Sequence, residues 1–77
     1  MTKLRLVAYR ELAKVAEAAG FRWVRREGSH NVFRNAEGRI VVIPDHGPQV
    51  IVRPLLRKIL REMSLSVDDY NRILAEL

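Results

Sequence analysis

The chain has 77 residues, 14 Lys plus Arg against 9 Asp plus Glu, a formal net charge of +5, 48% apolar residues and no cysteine. At this length about 60% of the unfolded surface can be buried, which suits a single small domain over residues 1–77 and leaves no room for a separate cofactor domain. The missing cysteines exclude a disulfide framework and thiolate metal sites, and Lys3, Arg5, Arg10 and Glu11 interrupt the opening residues, so the expectation is a cytoplasmic protein without signal peptide or membrane span.

Over residues 8–19, Leu12, Val15, Ala16 and Ala19 follow helical spacing, and Gly20 stands where a helix ends. Residues 21–26 hold Phe, Trp and Val and read as a strand, broken by the tight-turn signal Glu27-Gly28-Ser29. A second strand runs from His30 to Asn35 through Val32 and Phe33. A turn over residues 35–38 ends in Gly38, and a third strand from Arg39 to Ile43 stops at Pro44. Pro54 opens a helix whose apolar face is Leu55, Leu56, Ile59, Leu60 and Met63. Ser66 and Asp69 have capping-box spacing ahead of a last helix carrying Tyr70, Ile73, Leu74 and Leu77. The order α-β-β-β-α-α predicts an α+β domain, a three-stranded antiparallel meander with helices on one face.

Two details of this layout concern exposure. Phe21 and Trp23 read as core aromatics, with base stacking the alternative if they are exposed. Residues 40–43 (Ile-Val-Val-Ile) are apolar toward both faces of the sheet, so either the closing helix or a partner protein covers the outer side.

Charge is unevenly placed. Residues 22–61 carry net +6, from eight arginines and Lys58 against Glu27, Glu37 and Asp45, whereas residues 62–77 are net −3. Arginine outnumbers lysine 11 to 3, and a planar guanidinium suits bidentate contact with phosphate. A polyanionic ligand is implied; the plainer alternative is a solvated basic surface. Arg53, Arg57 and Arg61 recur every four residues and, with Lys58, make a stripe suited to a phosphate backbone, unless a Lys58–Glu62 pair merely solvates that face.

The candidate chemistry centres on Gly28-Ser29-His30. With Phe33 pointing into the core, alternation sends His30, Val32 and Arg34 to the opposite, open face. An imidazole exchanges protons near neutral pH, which general acid–base catalysis requires; the plainer role is that of a polar strand-edge residue. Ser29 is a weaker candidate nucleophile, and serving the turn is its plainer role. His46 lies in the loop after the third strand, which returns toward the start of the second, and is a candidate second group. A metal site from His30, Asp45 and His46 is disfavoured because the 16-residue separation of the histidines fits no compact zinc spacing. Glycine signatures of phosphate loops and dinucleotide sites are absent.

Gly20-Phe21, Gly28-Ser29-His30, Gly38, Val42-Ile43-Pro44-x-His46 and Leu56-Arg57-Lys58-Ile59-Leu60, in this order and spacing over residues 8–70, resemble the HicA family of toxin–antitoxin systems. The chain departs from the family in reading Val52-Arg53-Pro54-Leu55 where a Gly-Thr-Leu-like segment usually introduces the second helix. The resemblance implies a double-stranded-RNA-binding-domain-like fold, mRNA interferase activity without a cofactor, a HicB-type antitoxin partner, and His30 as catalytic histidine.

RNA carries its own nucleophile, the 2′-hydroxyl, so a proton-transfer group and cations at the scissile phosphate suffice to cleave it. Arg25, Arg26 and Arg34 are the candidates to neutralise phosphoryl charge. The competing expectations are a non-catalytic module gripping double-stranded RNA or DNA, and a protein-interaction domain that binds no nucleic acid.

Overall fold

The computed structural model describes residues 3–77, and its elements run α1 (Tyr9–Ala18), β1 (Arg22–Glu27), β2 (His30–Arg34), β3 (Ile40–Pro44), α2 (Arg53–Glu62) and α3 (Val67–Ala75). The strands form one antiparallel sheet in the order β1-β2-β3, as the meander predicts. Among the described residues no helix is long and apolar enough to cross a membrane.

Helix α1 buries Leu12, Val15 and Ala16 on one face. The Glu11 carboxylate accepts the Ala8 N–H at 3.0 Å, so one orphan donor of its first turn is satisfied. At the other end Gly20 takes φ +93°, a left-handed conformation costly for a residue with a Cβ. Its N–H then reaches the Glu17 carbonyl at 3.0 Å and the Phe21 N–H reaches that of Ala16 at 2.9 Å, a Schellman closure that drops Phe21 into the core.

Helix α2 begins with Pro54 in its first turn and buries Leu56, Ile59 and Leu60. It ends by the same closure, the Ser64 N–H bonding the Arg61 carbonyl and the Leu65 N–H that of Leu60, but with Ser64 at φ +59° in place of a glycine. The Arg39 guanidinium donates to the Glu62 carbonyl and to the Ser64 hydroxyl, fastening the β2–β3 turn to this helix end. Helix α3 starts on the expected box: Ser66 Oγ accepts the Asp69 N–H at 3.0 Å and the Asp69 carboxylate accepts the Ser66 N–H at 3.3 Å. Those contacts and Arg72 hold the Asp69 carboxyl below its usual range.

The segment ahead of α1 is tied down from both sides. The Ile51 N–H donates to the Val7 carbonyl at 2.9 Å, and the buried Tyr70 hydroxyl donates to the Arg5 carbonyl at 2.6 Å. Burial pushes the Tyr70 phenol up to about 12.

The helices pack chiefly over β3, and Phe33, Val41 and Ile43 supply the sheet's share of the core. Fully burying such a side chain contributes about 1.5–3 kcal/mol. Strand β1 lies beyond this cover, and all six of its residues are exposed. That geometry corrects the placement of Trp23 in the core: it is 54% exposed, whereas Phe21 is 2% exposed as expected. It also decides what the closing helix does. Helix α3 packs on α1, and Ile40 and Val42 on the outer side of β3 are 51% and 39% exposed, so no helix covers them.

Candidate active site

The two-residue turn at Gly28-Ser29 fixes the site. Gly28 alone of the pair has positive φ, +62°, the pattern of a II′ turn whose twist suits an antiparallel hairpin. Glu27 is thereby set directly across from His30, and the register continues Arg26↔Asn31 and Arg25↔Val32. On the other side His30 faces Pro44 and Val32 faces Val42. Directly paired residues share a sheet face. Glu27, His30 and Pro44 therefore form a row across this face at the lip of the hairpin, with Arg25, Val32 and Val42 in the next row. Val32, expected in the open, is buried among these neighbours, as is Pro44, while Glu27, His30, Arg25 and Val42 are exposed.

His30 is solvent-exposed. Glu27 is its acidic neighbour, a residue the local sequence reading passed over although a two-residue turn implies the pairing. Arg25 Nε donates to the Glu27 carboxylate at 2.5 Å. That hydrogen bond first, then the charge of Arg25, holds the Glu27 carboxyl below its usual range, and the His30 charge acts in the same direction. Arg25, Glu27 and His30 are thus electrostatically linked on one surface.

The register separates the other candidate cations from His30. Arg34 shares its face but lies at the far end of β2, roughly 13 Å away along a strand rising about 3.3 Å per residue. Arg26 points to the opposite face, and its Nε donates to the Gly28 carbonyl at 2.8 Å, bracing the turn. Ser29 is half-buried and its carbonyl accepts the Asp45 N–H at 2.7 Å, which extends the β2–β3 ladder past Pro44. Its part is in the turn.

The bond from Asp45 to Ser29 keeps the outgoing loop at the hairpin lip, so His46, also exposed, stands at the same end of the sheet as His30. His46 lines a hollow of about 210 Å³ with Pro44, Gln49, Val50, Val52 and Leu55. Among the described residues no three His, Cys, Asp or Glu side chains come together as a metal site, so His30, Asp45 and His46 do not form one.

Helix α2 starts beside this hollow and ends at the Arg39 turn, so its basic side runs the length of the sheet. Arg53 donates to the Leu4 carbonyl at 3.3 Å. Arg57, Lys58 and Arg61 are exposed, and the Lys58–Glu62 pair does not form. The stripe is therefore open to an anion.

Comparison with known protein families matches residues 9–65 to the HicA toxin of bacterial toxin–antitoxin systems. The chain belongs to the HicA toxin family. No curated protein matches it at a significant level. The matched span of this HicA-family chain runs from α1 through the Schellman closure of α2 and contains the Gly28-Ser29-His30 turn, His46 and the α2 stripe. It stops short of α3, whose capping box and buried tyrosine serve packing.

Proposed function

We propose that this toxin is an endoribonuclease, an mRNA interferase of a type II toxin–antitoxin system, in which His30 moves the proton and the RNA 2′-hydroxyl is the nucleophile. The observation that carries the reading is the position of His30: an exposed imidazole on the open face of the sheet, across from an ionised carboxylate and one row from a guanidinium.

The 2′-oxygen attacks the adjacent phosphorus, its proton passes to a base, and the 5′-oxygen departs with a proton from an acid. His30 takes one of these transfers, and His46, at the same end of the sheet, is the candidate for the other. Arg25 is the nearest cation on the His30 face and neutralises charge on the phosphoryl oxygens. Glu27 sets a carboxylate directly across the hairpin from the imidazole. Arg53, Arg57, Lys58 and Arg61 track the backbone, with Arg26 and Arg34 adding positive potential at the two ends of the sheet. A HicB-type antitoxin is the partner that keeps this surface from RNA. General acid–base help is worth about 10² to 10⁴ in rate, so the enzyme is a modest one.

The test is cleavage of a labelled RNA in EDTA by the wild type and by His30→Ala. Cutting by the wild type alone is expected. Intact RNA that still binds both proteins refutes catalysis and leaves a double-stranded-RNA-binding module. A substrate with hydrogen in place of the 2′-hydroxyl at the cut site is expected to resist, and its cleavage would exclude the proposed nucleophile.

A further inference from the structure

Among the described residues Trp23 is the one exposed aromatic ring, at 54%, whereas Phe21, Phe33 and Tyr70 are buried and Tyr9 is half-buried. A β-bulge sets the face on which Trp23 stands. The register shifts between Trp23 and Arg25, so Trp23 pairs with Phe33 on the helix side while Arg25 stays on the open side. The helices stop short of β1, and the ring is left beside the core instead of within it.

The ring is nevertheless held. Its Nε1–H donates to Asn31 Oδ1 at 2.9 Å, and Asn31 is itself only 4% exposed. The polar edge is satisfied and the orientation set, which leaves the π-face as the available surface. Around it is a groove of about 760 Å³, lined by Glu17, Phe21, Arg22, Trp23, Arg34 and Asn35 among others.

The rim of this groove has the chemistry of a nucleotide site. Arg22 and Arg34 are direct cross-strand partners, like charges side by side, and neither has an ion-pair or hydrogen-bond partner among the described residues. Such a pair is destabilising until an anion lies between or beside the guanidiniums. Asn35 uses Oδ1 to accept the Glu37 and Arg39 N–H groups at 3.1 and 2.8 Å, and its Nδ2 donors have no partner among the described residues. Glu17, also in the lining, offers an acceptor. A flat ring, a donor, an acceptor and two cations match a nucleobase and its phosphate better than an aliphatic protein side chain.

We propose that Trp23 is the platform on which one unpaired nucleobase of the RNA stacks, with Arg22 and Arg34 on its phosphate. This deepens the ribonuclease reading and rests on it for the identity of the ligand. Trp23 lies at the opposite end of β1 from Glu27, and so about 13 Å from the His30 row. The ring stands on the helix side and His30 on the open face, so a short single strand that crosses the exposed edge of β1 reaches both. The site therefore selects RNA with an unpaired base at a fixed distance from the cut, and disfavours a continuous duplex.

The chain contains one tryptophan, so its emission reports on this ring alone. The His30→Ala protein is titrated with an unstructured RNA of about ten nucleotides and with an abasic ribose-phosphate strand of equal length, binding being followed separately by anisotropy of a labelled strand. Saturable quenching by the RNA and none by the abasic strand are expected. Trp23→Ala should weaken RNA binding about 5- to 150-fold with an unchanged salt slope, Trp23→Phe should retain most of the affinity, and Arg34→Gln should flatten the salt slope. Melting curves of each variant check that the fold is intact. RNA that binds without quenching, or binds Trp23→Ala as tightly as the parent, overturns the stacking site even if the wild type cleaves RNA in EDTA. Quenching together with the Trp23→Ala loss upholds it even if no cleavage occurs, in which case the nuclease reading alone fails. Absence of any RNA binding overturns both.

Discussion

Tyr70 gives a stability prediction with two opposite signs. Its ring is fully buried, its hydroxyl donates to the Arg5 carbonyl at 2.6 Å, and burial raises the phenol from 10.0 to about 12. The fold therefore favours the neutral phenol. That contribution is complete below about pH 10, where the unfolded chain's tyrosine is also neutral, and is lost as pH rises from about 10 to about 12. The loss amounts to about 2–3 kcal/mol. Tyr70→Phe removes both the hydrogen bond and the titration. At pH 8 the variant should be less stable than wild type by about 1 kcal/mol, the usual net worth of such a bond. At pH 12 the order should reverse, the wild type being destabilised by its ionising phenol. Urea unfolding of both proteins at unit steps from pH 8 to 12 measures the difference, and contributions from every other group cancel between them. Parallel curves with no crossing would show that the phenol is not held neutral by the packing of α3 against the segment ahead of α1.

Gly28→Ala adds a Cβ that meets nothing within 4 Å but forces an L side chain to φ +62°. The cost of about 1–2 kcal/mol should lower Tm by roughly 5–15 °C, and an unchanged melting curve would show that the turn had relaxed to another type. Leu56→Ala, at a position with no exposure, should cost about 2–5 kcal/mol by urea unfolding, whereas Ile59→Val should cost about 0.5–1.5 kcal/mol. Arg25→Gln removes the main cause of the depressed Glu27 carboxyl, so NMR titration should show Glu27 protonating at higher pH, closer to 4.5, with melting little changed; an unmoved titration would mean the ion pair does not hold in solution.

The elements of the fold were legible wherever their signals were local. Gly20 stops α1, the Gly28-Ser29 and Gly38 turns join the strands, Pro54 opens α2 and Ser66 with Asp69 opens α3, each within a residue or two of its expected place. Ser64 was not legible as the stop of α2, because the left-handed position there is held by a serine bonded from Arg39, a contact 25 residues distant. Of the candidate site, the exposure of His30 followed from strand alternation. The partnership of Glu27 with His30 followed equally from the two-residue turn, yet emerges only when residues are read across the hairpin instead of along it. Whether His30 and His46 share an end of the sheet depended on strand length, which the Asp45–Ser29 bond settles.

Residue order by itself determined the run of helices and strands, the faces that carry apolar side chains, and the turn that presents His30. Periodicity, glycine and proline constraints and end caps act over a few neighbours, and so are written in the chain. Tertiary structure decided which apolar residues remain wet. The helices stop short of β1, so Trp23 stays exposed, and Ile40 and Val42 stay exposed on the outer face of β3 that no helix covers. The bulge in β1 then turns Trp23 away from Arg25, and no pattern in residues 21–27 announces it, because the shift is set by pairing with β2.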